Sequence, residues 1–182
     1  MKRRELIQTL WRPDLPGGTK VWAVLDGARD RRIYGALIGS AQEQCCLYRG
    51  DLPWQLALAA PYLVQLDSDD KLTNQILDQG WGNAWGIFLH STSSMERLRK
   101  HLRQFLRVKN EHGAFMLFRY YDPRVLRVYL PTCWRDELRQ IFGPVDRFLM
   151  EGERGEEIRE FTFTGQQLIT KTKGASALST TP

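Results

Sequence analysis

The stretch that decides the fold is FMLFRYYDPRVLRVYLP, residues 115–131. Its first four residues, 115–118, are apolar without interruption, which is typical of a strand covered on both faces of a sheet. Asp122 and Pro123 suit the start of a helix, because a carboxylate accepts hydrogen bonds from free amides and proline has no N–H to satisfy there. Pro131 ends that helix. The stretch therefore predicts a buried strand that leads directly into a short helix.

Strands and helices alternate on both sides of this stretch. β-branched, aromatic and other apolar runs predict further strands at residues 20–25, 44–48, 62–66, 85–90, 147–150 and 158–163. Periodic apolar positions predict helices at residues 3–11, 31–40, 51–59, 70–79, 94–108 and 134–142. This alternation predicts an α/β fold, a single layered domain with a mixed β-sheet flanked by helices, in which the last two strands are antiparallel.

The domain organisation follows from the same pattern. Residues 1–19 are expected to form an N-terminal helix and linker, residues 20–165 the α/β domain, and residues 166–182 a flexible C-terminal tail, because the last residues have little apolar area to bury. There is no run of about 18 apolar residues, and the N-terminus lacks the apolar core of a secretory signal. We therefore expect a cytoplasmic protein without a membrane span.

Charge and cysteine content limit the possible chemistry. The net charge is +5, which permits contact with nucleic acid or with an acidic protein surface but selects neither. Cys45 and Cys46 are adjacent and Cys133 stands alone, which is a poor framework for disulfides. The three histidines have no metal-ligand spacing and no CxxC motif occurs. We expect no cofactor and no metal.

The predicted helix over residues 94–108 has one strongly basic face. Its cations are Arg97, Arg99, Lys100, Arg103 and Arg107, and Lys109 follows directly after the helix. Such a face is either a solvated helix surface or a contact for phosphates, so a basic nucleic-acid-binding module is the alternative function. Interleaved aromatic residues, which a single-strand binder uses for stacking, are missing from it. We therefore favour the solvated face and regard nucleic acid as an unlikely partner.

The ends of two predicted strands carry the polar residues most suited to a site. Asp26 and Arg29 follow the first strand, and Asp122 lies beyond the strand of the opening stretch. Two carboxylates at strand ends could hold a metal for phosphoryl transfer, but no third ligand and no general base accompanies them. Nucleophile elbows, phosphate loops and zinc-protease motifs are also missing from the sequence. The metal-dependent enzyme is thus the weaker alternative, and we expect a protein without catalytic residues.

A series of motifs in a set order resembles a known family. They are LDGAR (25–29), CLYRG (46–50), APYLVQL (60–66), WGIFLHS (85–91), LRKHLRQFLRVKNEHG (98–113), FRYYDPRVLRVYLPTC (118–133) and FGPVDRFLME (142–151). In this order they resemble the adaptor-chaperone family of bacterial type VI secretion, the Tap/Tec proteins, first catalogued as a domain of unknown function. The resemblance covers about residues 20–165, and FRYYDPRVL is its most specific part.

The resemblance implies a function that composition does not reveal. Members of that family bind a toxin effector and help to load it onto the VgrG spike protein, without catalysis. It implies an α/β lobe that is often followed by a helical lobe, for which this chain has little room, so a short form working alone or with a co-chaperone is expected. The residues carried over as candidate partner contacts are Asp26, Arg29, Arg119, Tyr120, Tyr121 and Arg124, joined by the loop tryptophans Trp81 and Trp134.

Overall fold

A layered arrangement of strands and helices makes up residues 1–109 and 111–174, which the computed structural model describes. Its strands are β1 (Lys20–Asp26), β2 (Gln44–Cys46), β3 (Pro61–Leu66), β4 (Gly86–Ser91), β5 (Arg107–Lys109), β6 (Phe115–Leu117), β7 (Arg147–Glu151), β8 (Glu157–Phe163) and β9 (Leu168–Gly174). Within these ranges, β5 and β6 form a separate hairpin, and the other seven strands form one sheet in the order β2-β3-β1-β4-β7-β8-β9.

Helices precede, separate and flank the strands. They are α1 (Arg3–Leu10), α2 (Arg31–Ile38), α3 (Trp54–Leu58), α4 (Lys71–Gln75), α5 (Met95–Leu102), α6 (Pro123–Tyr129) and α7 (Arg135–Phe142). A π-helical turn, Ile76–Gly80, extends α4, and 3-10 turns follow α5 at Arg103–Phe105 and α6 at Leu130–Thr132. In the part of the chain described, no helix is long and apolar enough to cross a membrane.

The sheet lies between two layers of helices. Alternate side chains of a strand point to opposite faces, so Trp22 and Val24 of β1 pack with α5, α6 and α7, whereas Val21, Ala23 and Leu25 pack with α1, α2 and α4. The predicted layered α/β fold is confirmed. The sheet is antiparallel at every pairing between described strands, rather than mixed. The helix α2 joins β1 to β2, and α4 joins β3 to β4. Each of these two pairs of strands runs in one direction but is separated in the sheet by an antiparallel neighbour, so alternation with helices does not by itself require parallel pairs.

In residues 115–131 the structure confirms the predicted helix but not the predicted buried strand. Asp122 is the N-cap of α6, where its side chain accepts a hydrogen bond from the Arg124 amide at 2.9 Å, and Pro123 is the first helical residue. The strand before it is not buried: the β6 residues Phe115, Met116 and Leu117 are 59%, 48% and 51% exposed. An apolar run identifies a strand without revealing what covers it, and β6 pairs only with β5 among the described strands.

The predicted helix over residues 94–108 is shorter in the structure. Its apolar positions Leu98 and Leu102 are buried as expected, but α5 ends there. A 3-10 turn follows, and the Phe118 amide then donates to the carbonyl of Leu106 at 3.0 Å, at the base of the β5–β6 hairpin. Arg107 and Lys109 therefore belong to a strand rather than to the basic face of a helix.

Both ends of the chain join the domain more closely than the sequence suggests. Leu6 and Leu10 of α1 are buried against the sheet. The last two predicted strands are confirmed as the antiparallel pair β7 and β8. The tail predicted for residues 166–182 instead begins with β9, which pairs with β8 along its whole length. Ladder hydrogen bonds, rather than apolar burial, hold this strand, and residues 175–182 lie outside the described part of the chain.

Candidate partner-binding surface

The end of β1 holds a buried ion pair. The Asp26 side chain is fully buried and accepts a hydrogen bond from the Arg119 guanidinium, whose side chain is 38% exposed. The Ala28 amide donates to the same carboxylate at 3.2 Å. Burial raises the pKa of Asp26, although the hydrogen bond and charge of Arg119 oppose this. These contacts tie the loop after β1 to the segment that enters α6, so the pair has a structural role.

Asp122 and Arg124 form a second, more exposed pair. Both carboxylate oxygens of Asp122 accept from the Arg124 guanidinium, with the shortest contact at 2.6 Å. Burial alone would raise the pKa of Asp122, but the hydrogen bonds from Arg124 and its charge outweigh it and hold that pKa below its ordinary value. The Arg124 side chain is 48% exposed, so this cation can still meet a partner.

The two tyrosines of the motif require a correction. Tyr120 and Tyr121 are 4% and 1% exposed, so they pack inside the domain instead of presenting a contact surface. The Tyr120 hydroxyl donates to the carbonyl of Leu102 at 3.0 Å, and the two rings meet edge to face with centroids 5.5 Å apart. Burial raises the pKa of both phenols. A tyrosine can bury its ring when its hydroxyl finds an acceptor. Asp26 was also predicted as a partner contact, and because it is fully buried it too is not part of a contact surface.

Arg29 and Trp81 lie around the turn before β4. The Arg29 guanidinium is exposed and donates to the carbonyl of Asn83 at 2.8 Å. Trp81 is half-buried, and its indole N–H donates to the carbonyl of Gly155 at 2.7 Å. Glu151 accepts from two amides of the same turn, those of residues 82 and 84, at 2.6 and 3.0 Å. Trp81 therefore anchors a turn, and Arg29 is the member of this group that stays accessible.

Trp134 is the most exposed of the predicted contacts. It lies at the N-cap of α7 with 81% of its surface accessible, and its amide donates to the Glu137 side chain at 2.7 Å. A tryptophan this exposed contributes little to the core and is well suited to anchor a partner. Of the eight predicted contact residues, the structure thus leaves Arg29, Arg124 and Trp134 clearly accessible, Arg119 and Trp81 partly so, and Asp26, Tyr120 and Tyr121 buried.

A larger apolar surface escapes the sequence prediction. A groove of about 470 Å³ separates α3 from the β5–β6 hairpin, and its apolar walls are Leu47, Leu52, Leu56, Leu106 and Leu117. The Phe115 side chain, which is 59% exposed, shares the hairpin face of Leu117 and continues the groove there. The lining residues come from separate segments of the chain, so no local pattern reveals the groove. The apolar run that begins at Phe115 is the one sequence signal for this surface, but its apolar character predicts a buried strand instead.

The basic residues predicted for one helix face are divided in the structure. Arg97 and Lys100 stay on the exposed face of α5. Arg103 turns back, and its guanidinium donates to the carbonyls of Leu47 at 2.8 Å and Tyr48 at 2.5 Å. With Arg107 and Lys109 on β5, the continuous basic face that motivated the nucleic-acid alternative is interrupted.

The arrangement around the strand ends offers little to a metal. In residues 1–109 and 111–174, no group of three or more His, Cys, Asp or Glu side chains is placed to hold an ion. Asp26 and Asp122 each accept from an arginine, so their oxygens are already engaged. Burial raises the pKa of Cys45 to about 11, which keeps this thiol protonated at neutral pH.

The fold and this surface define an antiparallel α/β domain with an accessible apolar groove. Residues 21–140, well over half of the 182-residue chain, match the model of a family described as a domain of unknown function, DUF4123. The chain belongs to the DUF4123 family. Neither the comparison with curated proteins nor that with solved structures finds a match. The matched range contains β1 to α7 nearly complete, and with it both walls of the groove.

Proposed function

We propose that this protein is a non-catalytic adaptor that binds a toxin effector of bacterial type VI secretion and helps to load it onto the VgrG spike protein. The membership in the DUF4123 family supports this, together with the ordered motifs that resemble the Tap/Tec adaptors. The single observation that carries the proposal is the exposed apolar surface of Leu56, Phe115 and Leu117, whose side chains are 44–59% exposed. Contiguous exposed apolar side chains are typical of a protein-binding surface.

The architecture suits an adaptor. A sheet covered on both faces supplies a rigid frame, so a partner meets a preformed surface and loses little free energy to ordering it. The accessible residues Arg29, Arg124 and Trp134 remain predicted contacts, and they lie apart from the groove lining. Two surfaces would let the adaptor hold an effector and the spike protein at once. A co-chaperone is a further proposed partner, and the proposed location is the cytoplasm, where loading precedes secretion.

Co-purification tests the proposal directly. On this proposal the gene lies beside those of a toxin and a spike protein. The full chain, tagged at its N-terminus, is therefore co-expressed with that toxin and with the C-terminal part of that spike protein. We expect the toxin to be retained, and the spike fragment to be retained with it. The Trp134→Ala variant should lose one of the two partners while keeping its circular dichroism spectrum, and Ile38→Ala is its exposed apolar control. A folded wild-type chain that retains neither partner would refute the proposal.

A further inference from the structure

We propose that the groove between α3 and the β5–β6 hairpin binds an acidic amphipathic helix of the partner protein. This inference rests on the proposed function and deepens it, because it names the surface that is used and the chemistry of the segment that it accepts. Three features of the groove carry the inference: its apolar walls, its uncompensated positive charge and the way the hairpin extends it.

The walls favour an apolar segment. Leu56 of α3 and Leu117 of the hairpin both line the groove and are 44% and 51% exposed. A partner that covers these leucine side chains removes their remaining apolar surface from water, which favours binding in proportion to the area covered. Leu47 and Leu106 are buried in the core and Leu52 is half-buried, so most of the remaining apolar wall is in place before anything binds.

The charge of the groove favours carboxylates. Three arginines line it, Arg49, Arg103 and Arg107, and no aspartate or glutamate does so. In the described chain, none of the three lies within 4.0 Å of a carboxylate. Backbone carbonyls hold Arg103 in place, which positions its charge without neutralising it. A partner that carries carboxylates beside its apolar residues would complement these cations and be steered towards them.

The hairpin extends the same pattern beyond the groove. Arg107 pairs with Leu117 and Lys109 pairs with Phe115, and directly paired residues share one face of an antiparallel ladder. Both cations also lie over the Phe115 ring, 4.5 and 5.3 Å from its centroid. One face of the hairpin therefore continues the groove as a track of alternating apolar and basic side chains.

The geometry selects a helix over an extended strand. The groove is lined by residues of α3, of the segment after β2, of the turn after α5 and of the hairpin. The two hairpin residues, Arg107 and Leu117, pair across the ladder and so present one of its faces rather than its edge. A strand partner would need free N–H and C=O groups along its path, whereas a helix needs only a side-chain groove for its apolar stripe. Apolar residues at i, i+3, i+4 and i+7 with glutamates on either side would match the leucines and the arginines together.

Two synthetic helical peptides of about 16 residues, roughly four turns, test the chemistry. Both carry leucine at i, i+3, i+4 and i+7 and alanine elsewhere, except for four positions beside the leucines that are glutamate in one peptide and lysine in the other. Fluorescence anisotropy with the full chain should show that the glutamate peptide binds at least about tenfold tighter than the lysine peptide. Equal binding of the two, or tighter binding of the lysine peptide, would overturn the proposal.

Variants of the groove locate the binding. Leu117→Asp and Arg107→Glu should each weaken the glutamate peptide at least about tenfold, whereas Ile38→Asp should leave its affinity within about twofold. Ile38 is a matched control because it is an apolar side chain, 64% exposed, on the opposite layer of the domain. The changed residues are exposed, so the variants should keep their thermal unfolding midpoints. A loss of binding in Ile38→Asp as large as in Leu117→Asp would overturn the assignment to the groove.

The effector separates this proposal from the adaptor function. If the wild-type chain retains the neighbouring toxin and Leu117→Asp retains it equally well, the groove proposal fails and the adaptor function stands. If the wild-type chain retains no toxin, the adaptor function fails, and the peptide result alone decides the groove. Light scattering and oligonucleotide competition test two other occupants. A dimer that Leu117→Asp converts to a monomer, or displacement of the peptide by single-stranded RNA, would overturn the acidic helix as the occupant.

Discussion

Removing Arg119 should cost much more stability than neutralising its partner. The Asp26 side chain is fully buried and the Arg119 side chain is 38% exposed, so the two members of the pair differ in their access to water. Arg119→Met leaves a buried carboxylate without its cation. Asp26→Asn leaves a cation that can turn towards solvent, and an amide oxygen that still accepts hydrogen bonds.

The magnitudes follow from that difference. Breaking a buried ion pair by removing one partner costs about 3–5 kcal/mol. The Ala28 amide still donates to Asp26 in the Arg119→Met variant, and water can enter the space of the partly exposed guanidinium. We therefore expect a loss near the lower limit, about 3 kcal/mol. For Asp26→Asn we expect about 1 kcal/mol, since the hydrogen bonds weaken but no buried charge is orphaned.

Urea unfolding followed by circular dichroism measures both losses. The pH dependence adds a second test. Burial raises the pKa of Asp26, and loss of Arg119 should raise that pKa further. A carboxyl whose pKa is higher in the folded than in the unfolded state loses stability as it ionises, so the cost of Arg119→Met should grow as the pH rises above the ordinary range of a carboxyl. A cost below that of Asp26→Asn, or a cost that falls as the pH rises, would refute this account of the pair.

Three further changes test other parts of the frame. Gly27→Ala should destabilise the domain by about 2 kcal/mol or more, because a Cβ there would lie 2.6 Å from the carbonyl oxygen of Ala60. Asp122→Ala should cost about 1–2 kcal/mol through loss of the helix N-cap, and Asp122→Asn less than that. Burial lowers the pKa of His90 to about 4, so the wild-type stability should fall as the pH drops from about 6.5 to about 4, and His90→Gln should reduce this slope.

Each of these changes has a clear contrary result. A Gly27→Ala variant as stable as the wild type would mean that the loop after β1 can move away from β3. Equal losses for Asp122→Ala and Asp122→Asn would assign the effect to the ion pair rather than to the cap. An unchanged pH profile in His90→Gln, measured by urea unfolding across the acid range, would show that other groups cause the acid sensitivity.

Much of the fold is local enough to be predicted from the sequence. The central strands β1, β3 and β4 contain buried residues on both faces and are bounded by turn residues, so apolar runs identify them. The start of α6 follows from Asp122 and Pro123, whose roles depend only on their immediate neighbours. The direction of a strand relative to its neighbours in the sheet does not depend on local sequence. The antiparallel order of the sheet therefore could not be predicted from the alternation of strands and helices.

The candidate surface was harder to predict for two physical reasons. Aromatic residues with a polar tip, such as Tyr120 and Tyr121, suit both a core and an interface, and only their acceptors decide between the two. The apolar run at residues 115–117 has the composition of a buried strand, yet the described chain leaves it exposed. A residue that is apolar because a partner covers it is indistinguishable, in one sequence, from a residue that its own chain covers.

The position of β1 at the middle of the sheet has a consequence for hydrogen exchange. Its amides and carbonyls are paired on one side with β3 and on the other with β4, and helices cover both of its faces. Opening either helical layer leaves these hydrogen bonds in place, so the β1 amides should exchange only when the whole domain unfolds. Their exchange rates therefore report the global stability, while the amides of α1 and α6 report two openings on opposite faces of the same sheet.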